Sequence, residues 1–227
     1  MEFRRFALYY APPAQAEWTR TCTAWLGWDM QTGQPVAHPA VAGLSVDEIT
    51  ATPRKYGLHG TLKPPFRLAD GTGLDALRTE AAALAARFAP VSLNGLELVR
   101  FGGFLALRPA GSEAALRPLA DACVRDLDRF RAAPGPDELA RRRGAGLGSA
   151  QEANLVQWGY PFVMELFRFH ITLTGRLKPP VLDRARAALA ERLDSALPRP
   201  FVLSDIALVG EAGDGMFHLL DRYPLSG

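Results

Sequence analysis

Cysteine is scarce in this chain of 227 residues, which contains only Cys22 and Cys123. Two cysteines without metal-binding or redox spacing set no disulfide framework and suit a reducing compartment, so we expect a cytoplasmic protein. Long apolar runs are also lacking, since none approaches the roughly 18 residues that a membrane helix needs. The apolar part of the N-terminal stretch MEFRRFALYY is too short for a signal peptide and ends at two prolines, which is typical of a first strand. Because of these absences, we do not expect the protein to act at a membrane.

The chain also has little excess charge. Its 26 basic and 24 acidic side chains give a formal net charge of +2. A generally basic surface that would bind along a long nucleic acid is therefore not favoured. The net charge does not exclude a local basic patch. The glycines at 144, 146 and 148 lack a preceding strand and a Walker lysine, so they do not indicate a nucleotide-binding loop. Apolar residues make up 48% of the chain, enough to bury a sizeable core.

The order of predicted elements occurs twice along the chain. A strand, a helix and a hairpin are predicted from residue 56 and again from residue 165, and corresponding positions are 110–112 residues apart. Self-similarity of this kind indicates an internal duplication. We therefore predict an α+β fold with two pseudo-symmetric lobes, each an antiparallel sheet with helices, flanking a central cleft.

The duplication also suggests where the lobes divide. Residues 1–227 are predicted to form a single bilobal domain, with a first lobe at 1–132, a connection at 133–160 and a second lobe at 161–227. The first strand is a candidate for pairing across the lobes. The connection contains the run Arg141–Arg143, which is either a solvated helix face or a clamp for an anionic substrate.

The two repeats share a short motif of the form apolar–His–x–Thr–apolar. Alternate residues of a strand point to the same side, so each motif places its histidine and threonine on one polar face. Two histidines that titrate near neutrality can act as acid and base on a phosphodiester, while threonine hydroxyls hold non-bridging oxygens. Neither block contains an acidic ligand for a hard cation, so we expect neither a metal nor any other cofactor. The motifs read LHGTL at 58–62 and FHITL at 169–173.

The longer stretches around these motifs, YGLHGTLKPPF at 56–66 and FRFHITLTG at 167–175, resemble the two-histidine (2H) phosphoesterase superfamily. They are most similar to a bacterial branch that is often encoded beside carbon–phosphorus lyase genes for phosphonate use. The resemblance implies two lobes around a cleft, one catalytic histidine in each motif and no metal. It does not identify the substrate, because members act on RNA ends, cyclic nucleotides and small sugar phosphates.

The sequence therefore predicts a cyclic phosphodiesterase with a small phosphorylated substrate. Processing or ligation of RNA ends with 2′,3′-cyclic phosphates is an alternative, and so is a phosphate- or RNA-binding module without activity. Which histidine is the base, and whether the protein forms oligomers, stays open. The candidate catalytic residues are His59, Thr61, His170 and Thr172, and the candidate substrate-binding residues are Tyr56, Lys63, Arg168 and Thr174.

Overall fold

The computed structural model describes residues 2–144 and 146–227. Its helices and strands are interspersed along the chain in a mixed α+β order. The strands are β1 (Phe3–Tyr10), β2 (Trp28–Asp29), β3 (Gln34–Pro35), β4 (Gly60–Phe66), β5 (Val91–Leu93), β6 (Leu96–Phe101), β7 (Phe104–Pro109), β8 (Ile171–Thr172), β9 (Phe201–Leu203), β10 (Asp205–Ala212) and β11 (Phe217–Pro224). The helices are α1 (Glu17–Leu26), α2 (Val46–Arg54), α3 (Leu74–Ala85), α4 (Arg117–Asp126), α5 (Pro136–Arg143), α6 (Ser149–Trp158) and α7 (Pro179–Leu193).

The main sheet consists of two antiparallel halves that meet at the two histidine motifs. Its strand order is β11-β10-β1-β4-β8-β7-β6. One half contains the four strands from β11 to β4, and the other contains the three strands from β8 to β6. Gly60 of β4 pairs with Ile171 of β8 where the two halves meet. The predicted α+β class, with two antiparallel lobes, is confirmed.

Each half of the sheet combines segments from both repeats. The hairpin β6–β7 of the first repeat pairs with β8 of the second, while β1, which precedes the first repeat, pairs with β4 of the first and β10 of the second. The two repeats cross at the short pair β5–β9. Strand β5 leads into the hairpin β6–β7 and β9 leads into the hairpin β10–β11, so each hairpin lies in the opposite half of the sheet from the motif strand of its own repeat. The predicted division at 1–132, 133–160 and 161–227 therefore does not follow the halves of the sheet, and β1 of the predicted first lobe pairs with β10 of the predicted second lobe.

Helices α1, α3, α4 and α7 contribute buried residues to the main core against the sheet, whereas α5 lies at the cleft. The apolar residues of both motifs lie in the main core, including Leu58, Leu62, Phe169 and Leu173. Helix α1 anchors the second motif, because the indole Nε1 of Trp25 donates a hydrogen bond to the Leu173 carbonyl at 3.1 Å. Within the described residues, each helix is too short or too polar to cross a membrane.

Candidate active site

A cleft of about 1010 Å³ runs along the junction between β4 and β8. His59 immediately precedes β4 and His170 immediately precedes β8, and both imidazoles line this cleft. Thr61 and Thr172, which follow the histidines by two residues, line it too. The alternation of each motif thus brings its polar side chains into one space.

His59 is held by its own backbone and by an aromatic ring. Its Nδ1 lies 3.0 Å from the carbonyl of Gly57, and its Nε2 lies 3.1 Å from the hydroxyl of Thr61. The ring of Tyr9 stacks on the imidazole, with 3.9 Å between the ring centroids and 26° between the planes. A carbonyl oxygen only accepts hydrogen bonds, so Nδ1 donates to Gly57 and Nε2 keeps its lone pair.

His170 repeats this arrangement in the second motif. Its Nδ1 lies 2.7 Å from the carbonyl of Arg168, again two residues earlier in the chain, and therefore donates to it. The rings of Phe101 and Phe104 lie on its other sides, at centroid distances of 5.1 and 6.0 Å. In both motifs the backbone fixes the tautomer, and Nε2 is the nitrogen available to a substrate.

Burial weakens both imidazoles as bases. Loss of water is the largest effect on His59 and lowers its pKa to about 4; the bond to Gly57 opposes this, and the nearby His170 adds to it. Burial also lowers the pKa of His170, although the carbonyl of Arg168 opposes the shift. Both rings are therefore neutral at pH 7 in the free protein, and each can accept a proton there.

Two of the predicted substrate-binding residues lie in the cleft. The Tyr56 ring borders it, 6.0 Å from the ring of His59. Thr174 is almost fully buried at the cleft wall, and its hydroxyl accepts a hydrogen bond from the Leu105 amide at 3.0 Å. This contact ties the end of the second motif to β7.

Lys63 does not face the cleft, which corrects the prediction from strand alternation. Tyr9 pairs with Thr61 and Leu8 pairs with Lys63, so β4 has one more residue than β1 at this point. A β-bulge of this kind reverses the alternation. The ammonium group of Lys63 is consequently buried under α4, where it donates to the Val124 carbonyl at 2.9 Å. Burial lowers its pKa to about 8.

Arg168 is also absent from the residues that line the main cleft. The strand of the second motif is predicted to begin at residue 165, but β8 contains only Ile171–Thr172, so regular alternation does not extend back to Arg168. Its side chain is exposed and donates to the Phe167 carbonyl at 2.7 Å. It borders a neighbouring groove of about 560 Å³, which is lined by aromatic rings such as that of Phe104.

Several cleft residues were not found from the two motifs. Arg5 and Tyr9 of β1 line the cleft from the same face of that strand. Arg176, which follows Thr174 by two residues, lines it as well. The alternation of β1 was a usable signal, because the positions of Arg5 and Tyr9 differ by four and an even difference places two strand residues on the same face. Tyr9 has no exposed surface, and burial raises its pKa well above the ordinary value.

The arginine run in the connection lies partly at the cleft. Arg141 and Arg142 of α5 line it, whereas Arg143 forms an ion pair with Glu152 at 2.6 Å. Arg142 also lies over the ring of Tyr160, with 4.9 Å between the guanidinium carbon and the ring centroid. Among the described residues, no group of three or more His, Cys, Asp or Glu side chains is arranged to hold a metal ion.

Comparison with protein families gives a match over most of the chain. The model described as "Protein of unknown function (DUF1045)" matches residues 61–218. The chain belongs to this family. Relatives of the DUF1045 chain include two proteins named ribose 1,5-bisphosphate phosphokinase PhnN. The one from Janthinobacterium sp. (strain Marseille) is 34% identical over 98% of the chain, and the one from Laribacter hongkongensis (strain HLHK9) is 37% identical over 92%.

The DUF1045 chain spans about half the length of these curated relatives, 51% and 49% respectively. Among solved structures, it is similar to the LigT protein of E. coli complexed with 3′-AMP, with a TM-score of 0.44 and 17% identity over the whole of both chains. It is also similar to Usb1 of Kluyveromyces marxianus, with a TM-score of 0.41 and 14% identity over 99% of both chains. Similarity at these TM-scores does not by itself assign an activity.

Proposed function

We propose that this protein is a two-histidine phosphoesterase that hydrolyses a small cyclic phosphodiester. The observation that supports this most strongly is the matched geometry of His59 and His170. Both rings line one cleft, both donate Nδ1–H to the carbonyl two residues earlier, and both leave Nε2 for the substrate. A structural role for either histidine does not require this repetition in two separate motifs.

In the proposed reaction, His59 is the base and His170 is the acid. Nε2 of His59 takes a proton from a water molecule as its oxygen bonds to phosphorus, and Nε2–H of His170 gives a proton to the ring oxygen that leaves. The pKa of about 4 keeps the His59 imidazole unprotonated near neutral pH, so its Nε2 lone pair is free to accept the proton. The Thr61 hydroxyl, which lies 3.1 Å from Nε2 of His59 in the free protein, turns to the substrate, and the hydroxyls of Thr61 and Thr172 donate to the non-bridging oxygens, where negative charge accumulates.

The substrate we propose is a ribose or nucleotide cyclic phosphate. The curated relatives carry the name of a kinase of ribose 1,5-bisphosphate, and opening of a ribose cyclic phosphate yields a ribose phosphate. We assign their kinase activity to the half that this chain does not cover, since none of its three lysines (Lys55, Lys63 and Lys178) follows a glycine as a Walker motif requires. A place in phosphonate breakdown, implied by the resemblance of the motifs, belongs to the same proposal.

RNA ends that bear a 2′,3′-cyclic phosphate are the second candidate substrate. The observation in their favour is the number of basic side chains at the cleft, which include Arg141, Arg142 and Arg176. Binding to a long phosphate backbone releases counterions and weakens steeply with salt. A small substrate held in the cleft gives a shallow salt dependence instead.

The assay that tests the proposal uses adenosine 2′,3′-cyclic phosphate, a ribose cyclic phosphate and an RNA oligonucleotide with a cyclic phosphate end. We expect the phosphorus NMR signal of the small cyclic diesters to be replaced by that of a monoester. Preferred opening of the RNA end, with an affinity that falls steeply with salt, would support the second candidate. Binding of all three compounds without ring opening would contradict the proposed activity and indicate a phosphate-binding module.

The pH dependence of kcat/KM tests the roles of the histidines. His59 must be neutral, and its pKa of about 4 preserves that form down to about pH 4. His170 must be protonated, and burial lowers its pKa below the usual 6.5, so the required form is lost before neutrality. We expect a bell-shaped profile with its maximum between about pH 4 and 6.5. A profile that is flat from pH 4 to 8 would contradict this assignment.

A further inference from the structure

The cleft carries more positive charge than the whole chain. Six basic and two acidic side chains line it, a formal charge of +4, whereas the whole chain has a formal charge of +2. The remaining surface is therefore slightly acidic, and the small net charge of the sequence conceals a basic cleft. The basic residues are Arg5, Lys55, Arg67, Arg141, Arg142 and Arg176, and the acidic residues are Asp137 and Glu138.

Two of these cations share one carboxylate on the wall beside His59. Arg5 donates to Glu211 through two nitrogens, with 2.7 Å between Nη2 and Oε1. Lys55 Nζ lies 3.8 Å from the same carboxylate. The carboxylate cancels one of the two charges, so the group keeps a formal charge of +1. Lys55 is also partly exposed, which leaves its ammonium group accessible from the cleft.

The same pattern occurs next to it, where α5 approaches the end of β4. Glu138 lies 2.8 Å from Arg142 Nη2 and 3.8 Å from Arg67 Nη1. Arg5, Arg67 and Glu138 border one small recess, so the two groups are contiguous. Together they form a cationic wall, defined here as Arg5, Lys55, Arg67 and Arg142. With Glu211 and Glu138 included, its formal charge is +2.

We propose that the cationic wall binds a second phosphate group of the substrate, a monoester that is separate from the diester between the histidines. This rests on the proposed function and names the substrate class more closely. A phosphate monoester carries a charge of about −1.5 to −2 near neutral pH, which matches the +2 of the wall. The wall is also built from β1, the residue after α2, the residue after β4 and α5, and not from the histidine motifs. A cleft of about 1010 Å³ has room for both phosphates and the sugar between them.

A matched pair of substrates tests this second phosphate site. Adenosine 2′,3′-cyclic phosphate and its 5′-phosphorylated form differ only in a monoester. Hydrogen bonds to charged groups give wild-type protein an expected preference of about 10- to 100-fold in kcat/KM for the 5′-phosphorylated form. In the double variant Lys55→Gln/Arg67→Gln, this ratio should fall towards one. Both side chains are at least 39% exposed, so the variant is expected to fold.

The control is Arg129→Gln, which removes an exposed arginine that pairs with Glu80 at 2.7 Å and does not line the cleft. It should keep the wild-type ratio. A ratio near one in wild type, or one that the double variant leaves unchanged, would overturn the second phosphate site while ring opening itself stands.

A binding measurement separates this proposal from the proposed function. Calorimetry with the inactive double variant His59→Ala/His170→Ala compares the affinities of the same two compounds without turnover. Tighter binding of the 5′-phosphorylated compound, lost when Lys55→Gln and Arg67→Gln are added, would support the wall even if wild type opened neither ring. Equal affinities of the two compounds would overturn it, whatever the activity of wild type.

Discussion

Replacement of either cleft histidine with alanine is expected to cut the turnover of a cyclic phosphodiester by about 10²- to 10⁴-fold, which is the usual contribution of general acid or base catalysis. The reason is the loss of the only imidazole on that side of the cleft; among the described residues that line it, His59 and His170 are the only histidines. The measurement is kcat and kcat/KM for each variant, with circular dichroism to confirm that the protein is folded. Thr61→Val and Thr172→Val should lose less, because each removes one hydrogen bond and no proton transfer.

The control for these variants is His218→Ala. His218 lies on β11 beside Asp214, with 3.4 Å between the ring Nε2 and a carboxylate oxygen, and it does not line the cleft. It should therefore leave turnover per folded molecule close to that of wild type. Added imidazole should restore part of the activity of His59→Ala. Near-normal turnover in both cleft variants would remove the histidines from the mechanism.

The pairing of the two motifs could be predicted because it depends on local rules. Strand alternation places a histidine and the threonine two residues later on one face, and the repeat offset of 111 residues places the two motifs at equivalent positions. Both imidazoles consequently line one cleft. The apolar residues of the motifs, such as Leu62 and Phe169, lie in the core as the same alternation predicts.

The predictions for Lys63 and Arg168 were wrong because tertiary structure interrupts the alternation of the two motif strands. The bulge in β4 turned Lys63 towards α4, and the short β8 left Arg168 outside a regular strand. A bulge depends on the register between two strands that lie far apart in sequence, which a single strand does not reveal. The exchange of hairpins at β5–β9 is a long-range feature of the same kind.

The basic cleft was hidden for a different reason. Net charge adds residues that the fold separates, and here the fold gathers Arg5, Lys55, Arg67 and Arg142 from four elements onto one wall. None of these elements is conspicuously basic except α5, whose arginine run suggested an anion clamp. The small net charge argued against a generally basic surface, but it did not describe the cleft, whose lining carries a formal charge of +4.

Substitution of Gly60 by alanine is expected to reduce turnover by about 10²-fold although both histidines are kept. Gly60 pairs with Ile171 where the two halves of the sheet meet, and a Cβ placed there would lie 2.4 Å from Cζ of Phe169. Phe169 has no exposed surface and is surrounded by other aromatic rings, so it cannot move aside freely. Overpacking of this kind costs about 1–3 kcal/mol of stability.

The effect on turnover follows from the neighbours of the clash. Gly60 is next to His59 and Phe169 is next to His170, so strands that separate to relieve the contact also move the imidazoles apart. A displacement of about 1 Å in reacting groups can cost about 10²-fold in rate. The variant should therefore show a reduced kcat even when it is assayed at a temperature well below its melting temperature, at which it is still folded. Urea denaturation measures the loss of stability separately.

Two further variants isolate the steric cause. Gly73→Ala places a methyl group at a position with no atom within 4 Å, so it should change neither turnover nor the spacing of the strands. Phe169→Leu removes the ring atoms that clash, and the double variant Gly60→Ala/Phe169→Leu should regain part of the activity that Gly60→Ala loses. If Gly60→Ala turned over substrate at the wild-type rate, close contact between the two motif strands would not be what aligns the histidines.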